Sequence, residues 1–453
     1  MTLPKPSLTF TLPSLHDGLP IDCRLYHPAS LAASPRAPPW RKHAAVFAHP
    51  YAPLGGCYDD GVVQLVASTL LSQGFLVCTF NFRGAHGSAG RTSWTARPER
   101  ADYTSVVGFL LHYVHFLDPF RLPPRSTPTD PPHGAPAPEG EEETSQVRIR
   151  APTPTPPEGA GASPVFLSGG YSYGAMITSQ LPSLATMAAL FDAPELGSHA
   201  AEIRLRAQHL AEAQNAVLAA AREAAADRLR PASPRRHVGG LRVGGDEEGR
   251  KSHETRRSRS AEFEEAIRHG VHELLARTRK AHGQKPDKSP DGTAAGDPSP
   301  REHPQPARLP PVADRTAFRP AYLLVSPLQG IVTNLAAMSF PALPSLSAKP
   351  WFGKPPPLRD DEAASEAMAE EEEAESKLVQ SPTLAIYGDD DVFVPVRKLR
   401  AWKSRLEAVR PSLFRAHEVP SAGHFWAQGN AASTLREAVK AFASSLLDDK
   451  GAR

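Results

Sequence analysis

The sequence predicts an α/β fold, doubly wound around a mostly parallel sheet, with an N-terminal hairpin and long insertions between core elements. Three observations predict it. Short apolar runs without polar alternation recur along the chain, as strands covered on both faces require. Amphipathic segments of helical period separate those runs. The 48 prolines and 32 glycines crowd into a few stretches and leave the rest of the repeat intact, which marks those stretches as additions to a core.

In chain order, Leu8 to Leu12 and Ile21 to Tyr26 read as two strands around the turn signal His16-Asp17-Gly18, a hairpin. Ala44 to Ala48 is a buried strand ended by His49-Pro50, Gly61 to Ser72 an amphipathic helix, and Phe75 to Phe80 the next strand. A helix is expected from Pro98 to Phe116, with Val106, Val107, Leu110, Leu111 and Val114 at helical spacing. Val165 to Leu167, Ala321 to Val325 and Thr383 to Tyr387 are strands. Arg397 to Val409 is a helix, Phe414 to Val419 a strand, and Ala431 to Leu447 a closing amphipathic helix.

Core segments therefore fall at 1–122, 164–191, 318–354 and 381–453. Between them lie a proline-rich insertion at 123–163, a charged one at 192–317 and an acidic one at 355–380, the first and third with the composition of disorder. The middle insertion has two helix-forming stretches. Ala200 to Arg230 carries Ile203, Leu210 and Val217 at heptad spacing, and Ala261 to Lys280 places Phe263, Ile267, Val271 and Leu274 on one side. Such stripes suit a cap over the core, and equally charged helices on a linker. The basic tract Arg256-Arg257-Ser258-Arg259-Ser260 between them reads as a solvated linker.

With 51 basic and 49 acidic side chains the formal charge is +2, which gives no field for nucleic acid or an anionic membrane. Cys23, Cys57 and Cys78 have no zinc or disulfide-framework spacing, so buried thiols in a reducing compartment are expected. Met1 to Ser14 lacks an apolar stretch of signal-peptide length, and no run of eighteen apolar residues occurs. A cytoplasmic protein without integral membrane association is the expectation. Any protein partners of the insertions are not specified by these patterns.

Gly170-Tyr171-Ser172-Tyr173-Gly174 is a G-x-S-x-G motif. A glycine-rich turn with an incidental serine would contain the same five residues, so context decides. The motif follows the strand Val165 to Leu167 and precedes a helix-compatible segment from Ala175, the strand, sharp turn and helix of a nucleophile elbow. Gly170 and Gly174 supply positions without side chains where the chain folds back on itself. A serine hydroxyl needs a base to act as nucleophile, and in this arrangement an acid and then a histidine follow it in sequence. Asp389-Asp390-Asp391 lies directly after the strand ending at Tyr387, and His424 follows the strand ending at Val419. Both places are carboxyl ends of strands, where open α/β sheets bind ligands.

In these residues the chain resembles the α/β-hydrolase superfamily, and within it small serine hydrolases whose core opens with a His-Pro segment leading to Gly-Gly, here His49-Pro50-Tyr51-Ala52-Pro53-Leu54-Gly55-Gly56. The likeness extends to Phe80-Asn81-Phe82-Arg83-Gly84, the elbow and the Gly388 to Pro395 segment, and skips the three insertions. It implies Ser172 as nucleophile, Asp391 as acid and His424 as base, with backbone N–H groups of Tyr173 and Tyr51 as oxyanion donors and no metal or cofactor. The pattern departs from the family at Asp390, where a small residue is usual. The expected activity is hydrolysis of a small carboxylic ester or thioester through an acyl-serine. Acyl transfer or peptide cleavage would use the same triad, and a binding or scaffold protein could keep the fold without chemistry.

Overall fold

Burial on both faces, written into the apolar runs, is what the sheet delivers. The computed structural model describes residues 3–32, 34, 37, 40–119, 163–229, 307–328 and 373–448, with single positions between 265 and 276. Eight strands, β1 (Leu8–Pro13), β2 (Pro20–Tyr26), β3 (Ala44–Ala48), β4 (Leu76–Phe80), β5 (Val165–Tyr171), β6 (Arg319–Val325), β7 (Thr383–Gly388) and β8 (Phe414–Val419), form one sheet in the order β1-β2-β4-β3-β5-β6-β7-β8. β1 with β2 and β2 with β4 are antiparallel, and every later pairing is parallel. This is the mostly parallel sheet with an N-terminal hairpin that the sequence predicts. All residues of β3, β4 and β5 are buried, consistent with helices on both faces.

From β3 the chain crosses to β4 on one side, and the next crossover brings β5 to the other side of β3. The order reverses there, so a crevice opens beyond the carboxyl ends of β3 and β5. Helix α1 (Gly61–Ser72) and the last helix, α7 (Ala431–Leu447), cover one face with Val63, Val66, Leu70, Leu435, Val439 and Leu446. The other face carries α2 (Arg97–Phe116), α3 (Tyr173–Gln180), the short α4 (Leu184–Ala189) and α6 (Val396–Ala408).

Helix α5 (His199–Leu229) belongs to the 192–317 insertion and packs on α2 and β1. Ala201, Ile203, Leu205, Ala207, Leu210 and Ala211 are buried in the same cluster as Phe10, Leu12 and the core of α2, and Ile267, Val271 and Leu274 join them. The two apolar stripes thus find a partner on the flank of the sheet. Val217 is 57% exposed, and Leu218 packs instead. A straight helix drifts about 20° per heptad, so a seven-residue spacing leaves the buried stripe within two repeats. At the neck of the insertion Leu196 N–H donates to the Ala307 carbonyl (2.8 Å) and Leu309 N–H to the Pro194 carbonyl (2.9 Å). The buried Arg204 guanidinium donates to the carbonyls of Phe191, Asp192 and Pro310, tying entry and exit together.

Nearly all of the 123–163 insertion, Phe263, the Arg256 to Ser260 tract and residues 329–372, which include most of the acidic insertion, lie outside the described residues. Where disorder was expected through Gln380, residues 373–380 are helical. Ala374, Leu378 and Val379 are buried there, the latter two against Tyr322, Leu324 and Trp402. Lys377 Nζ donates to the carbonyls of Thr178, Ser179 and Leu181, which closes the carboxyl end of α3. Composition missed this because an acidic run masks the apolar positions that follow it. No described helix is long and apolar enough to cross a membrane.

Candidate active site

β5 continues past Leu167 through Ser168-Gly169-Gly170 to Tyr171, because β3 and β6 pair with it on both sides as far as Gly170 and Tyr171. The strand therefore delivers Ser172 directly into the turn. Ser172 has φ 57° and ψ −114°, a strained conformation for a residue with a side chain, and it caps α3. Its N–H donates to the Val325 carbonyl (2.8 Å) and its carbonyl accepts from Met176 N–H (3.0 Å), so both neighbours hold the strain in place. A side chain at Gly170 would strike the backbone of Gly174. One at Gly174 would lie 2.6 Å from the His49 carbonyl and 2.7 Å from that of Ala48.

β7 and β8 bring the other two residues to this turn. His424 Nε2 lies 2.8 Å from Ser172 Oγ, and His424 Nδ1 lies 2.7 Å from Asp391 Oδ2. An ionised carboxylate only accepts, so Nδ1 carries the proton and Nε2 accepts from the serine hydroxyl. Asp391 Oδ1 accepts from the N–H groups of Phe393 (2.8 Å) and Val394 (3.2 Å), which fixes its plane. All three residues are buried, and the Asp391 side chain is fully so.

The neighbouring aspartates have other partners. Asp389 Oδ1 accepts from Ser421 N–H (2.6 Å) and closes the turn ahead of His424, while Asp390 is exposed. At Gly388 an added Cβ would collide with the Ala422 carbonyl, so the two loops touch backbone to backbone. Tyr171 O–H donates to the His424 carbonyl (2.9 Å), Trp426 Nε1–H to Ser326 Oγ (3.1 Å), and the Phe393 ring lies 4.6 Å from the imidazole. Burial pushes the Tyr171 phenol well above its ordinary value, helped by the carboxylates of Asp60 and Asp391, so it stays a neutral donor.

Tyr51 follows Pro50 at the end of β3 and caps a short 3₁₀ turn, Ala52–Leu54. Its carbonyl accepts from Leu54 and Gly56 N–H, both at 3.1 Å, and its ring lies 5.2 Å from that of Tyr173. The segment is anchored by His49, whose Nε2 accepts from Phe82 N–H (2.8 Å) and whose Nδ1 lies 2.5 Å from the Pro50 carbonyl. Burial lowers that imidazole to about 4, so it is neutral, as these bonds require. The predicted residues Ser172, His424, Asp391, Tyr51 and Tyr173 are thus gathered at one place, with Gly170 and Gly174 beneath them.

Ser172, His424 and Tyr51 open on a cavity of about 130 Å³, whose wall also includes Leu54, Gly56, Asp60, Tyr171, Leu328, Phe393 and Phe425. Sequence reading passed over several of these. Phe393 and Phe425 sit next to the acid and the histidine, and Leu328 follows β6 at its carboxyl end, a position that could have been inferred from the fold. Asp60 had a signal only as the cap of α1. Among the described residues no group of three or more His, Cys, Asp or Glu is placed to hold a metal ion.

No family model and no curated protein matches the chain. Among solved structures it is similar to an alpha-beta serine hydrolase homologue from Coxiella burnetii, with 12% identity over 96% of this chain and 97% of that one and a TM-score of 0.38. A serine hydrolase without a lid from Xanthomonas campestris matches with 15% identity over 99% and 98% and a TM-score of 0.38. Est1E from Butyrivibrio proteoclasticus matches with 10% identity over 97% and 98% and a TM-score of 0.39.

Proposed function

We propose that this chain is a serine hydrolase that cleaves small carboxylic esters or thioesters through an acyl group on Ser172. The observation that carries the reading is the unbroken relay from Ser172 Oγ to His424 Nε2 and from His424 Nδ1 to Asp391, at 2.8 and 2.7 Å. In this reading Ser172 Oγ attacks the acyl carbon as its proton passes to His424 Nε2. Asp391 holds the resulting imidazolium, and the backbone N–H groups of Tyr173 and Tyr51 face the oxyanion. Collapse of the tetrahedral species expels the alcohol or thiol, which takes the proton from Nε2. Water then enters by the same steps and releases the acid.

A cavity of about 130 Å³ is small beside the roughly 300–1,000 Å³ of sites for drug-sized ligands, which favours a short acyl group over a peptide. The free thiols Cys23, Cys57 and Cys78 suit a reducing, cytoplasmic setting, which is part of the proposal. The test is Ser172→Ala. The variant is expected to fold with the wild-type melting temperature while losing both covalent labelling by a fluorophosphonate and hydrolysis of p-nitrophenyl acetate. Full retention of labelling would end the reading.

A further inference from the structure

One loop, between β3 and α1, supplies Pro50, Tyr51, Leu54, Gly55, Gly56 and Asp60, half of the described residues around the Ser172 cavity. Inside it the Tyr51 carbonyl accepts from Gly56 N–H (3.1 Å), and a Cβ added at Gly56 would strike the Pro50 carbonyl. Gly56 therefore lies backbone to backbone against the Pro50–Tyr51 peptide, the unit that carries the Tyr51 N–H. That N–H has no acceptor among the described residues. A planar peptide turns as one body, so whatever fixes Gly56 also fixes the direction of this donor.

Consecutive residues past β4 hold the two ends of the loop. His49, before it, accepts from Phe82 N–H (2.8 Å), and Tyr58, after it, donates its own N–H to Asn81 Oδ1 (2.8 Å). Asn81 is fully buried with every polar group engaged. Its Nδ2 donates to the His86 carbonyl, its N–H to the Asp22 carbonyl (2.9 Å), and its carbonyl accepts from Ser88 Oγ (2.6 Å). A donor on one side and an acceptor on the other require an amide. Aspartate would set an oxygen against the His86 carbonyl, and leucine would leave the buried Tyr58 N–H unpaired. The Tyr58 phenol donates to Asp22 Oδ2 (2.6 Å), so side chain and backbone of the residue two beyond Gly56 are both held.

We propose that Asn81 is a positioning residue for the reaction: by holding Tyr58 it keeps Gly56 against the Pro50–Tyr51 peptide and so aims the Tyr51 N–H at the oxyanion. This rests on the hydrolase reading, with Tyr51 as an oxyanion donor, and adds to it a residue that touches neither substrate nor triad. Without the clamp the loop still walls the cavity, so ground-state binding changes little. The donor loses its direction when charge develops on the acyl oxygen, and the loss falls on the transition state.

The test compares Asn81→Ala with Ser88→Ala. Ser88 Oγ accepts from Asp22 N–H (2.9 Å) and donates to the Asn81 carbonyl, so Ser88 shares the buried hub without a bond to the loop. Asn81→Ala is expected to lower kcat for p-nitrophenyl acetate by on the order of tenfold, part of the roughly 10²–10³ that a lost oxyanion donor costs, with KM within about twofold of wild type. Ser88→Ala is expected to lower the urea midpoint and leave kcat within about twofold. A second readout reports on the oxyanion itself, because sulfur accepts hydrogen bonds more weakly than oxygen. The preference for an ester over its thiono analogue, with C=S in place of C=O, should fall by on the order of tenfold in Asn81→Ala and hold in Ser88→Ala. If Asn81→Ala does not fold, Asn81→Thr, whose hydroxyl ends one bond short of the Oδ1 position, carries the same expectations. Equal kcat in the two variants, a loss confined to KM, or an unchanged ester-to-thionoester ratio would each overturn the role of Asn81. Absence of fluorophosphonate labelling and of ester hydrolysis in wild type would instead strike the hydrolase reading, and the assignment would fall with it.

Discussion

Two buried polar clusters sit beyond the carboxyl ends of parallel strands, and they are built on opposite terms. After β4, all three nitrogens of the Arg83 guanidinium are engaged. Nε and Nη2 bind the two oxygens of Asp102 (2.9 and 2.6 Å), Nη1 binds Asp17 (2.9 Å), and Nη2 also reaches Ser14 (3.0 Å). Ser14 Oγ in turn donates to Asp102 (2.6 Å), and the Arg83 N–H closes on the same carboxylate (3.2 Å). After β5, β7 and β8, the chain of Ser172, His424 and Asp391 is satisfied at one end and ends at the other on a cavity. A closed cluster has no capacity left for a reactant and serves to pin the N-terminal hairpin to α2. An open one keeps one strained hydroxyl in reserve, and that difference separates a polar network that stabilises from one that reacts.

The comparison breaks most visibly at the acid. Asp391→Asn is expected to reduce kcat for p-nitrophenyl acetate by on the order of 10⁴, because an amide in that place cannot hold the protonated imidazole. Asp389→Asn and Asp390→Asn should each stay within about tenfold of wild type, since neither carboxylate faces His424. Comparable losses at all three positions would move the acid elsewhere.

The closed cluster should fail in stability and not in rate. Arg83→Met leaves the Asp102 carboxylate buried without its cation, a loss of roughly 3–5 kcal/mol. Urea titration is expected to show that loss, while kcat of the folded fraction changes by about threefold at most. A large fall in kcat with an unchanged urea midpoint would show that the two clusters are coupled.

The smallest effect concerns histidines that the open cluster does not use. Burial lowers His27, His49 and His112 to about 4. The unfolded chain therefore takes up protons first, below its ordinary histidine value of about 6.5. Stability from these groups is complete above that value and is lost as pH falls toward 4. At His112 the ring's Nδ1 faces the Gly108 carbonyl (2.8 Å) and Nε2 has no partner among the described residues, so a second proton would be buried without an acceptor there. Urea midpoints should drop between pH 7.5 and pH 5, and less steeply in His112→Asn. An equal slope in the variant would assign the acid sensitivity to other groups.

Most strand and helix positions could be read within a residue or two, because each core segment carries its own period. α1, α7, β3 and β8 begin and end where their apolar patterns do. β5 was read too short because Ser168, Gly169 and Gly170 have little preference for a strand, and only pairing with β3 and β6 extends them. The stripe of α5 was visible, but its partner was not. A stripe states that a helix must be covered, and the covering surface, here α2 and β1, is fixed by distant chain.

By itself the sequence determined the order of elements and the residue types at their ends: a serine between close-packed glycines, acids after β7, a histidine after β8. These are local matters of period, turn chemistry and chain order. Period and turn chemistry left three consecutive aspartates open, with Asp391 singled out only by the resemblance; the contact of Asp391 with the histidine, and the place of a helix cap in the cavity wall, come from the tertiary structure. Asp389, Asp390 and Asp391 are chemically identical and differ only in direction, and direction here is set where the Ala422 carbonyl crosses Gly388. Asp60 and His424 are far apart in sequence and share a cavity because β3 and β8 end on the same side of one parallel sheet.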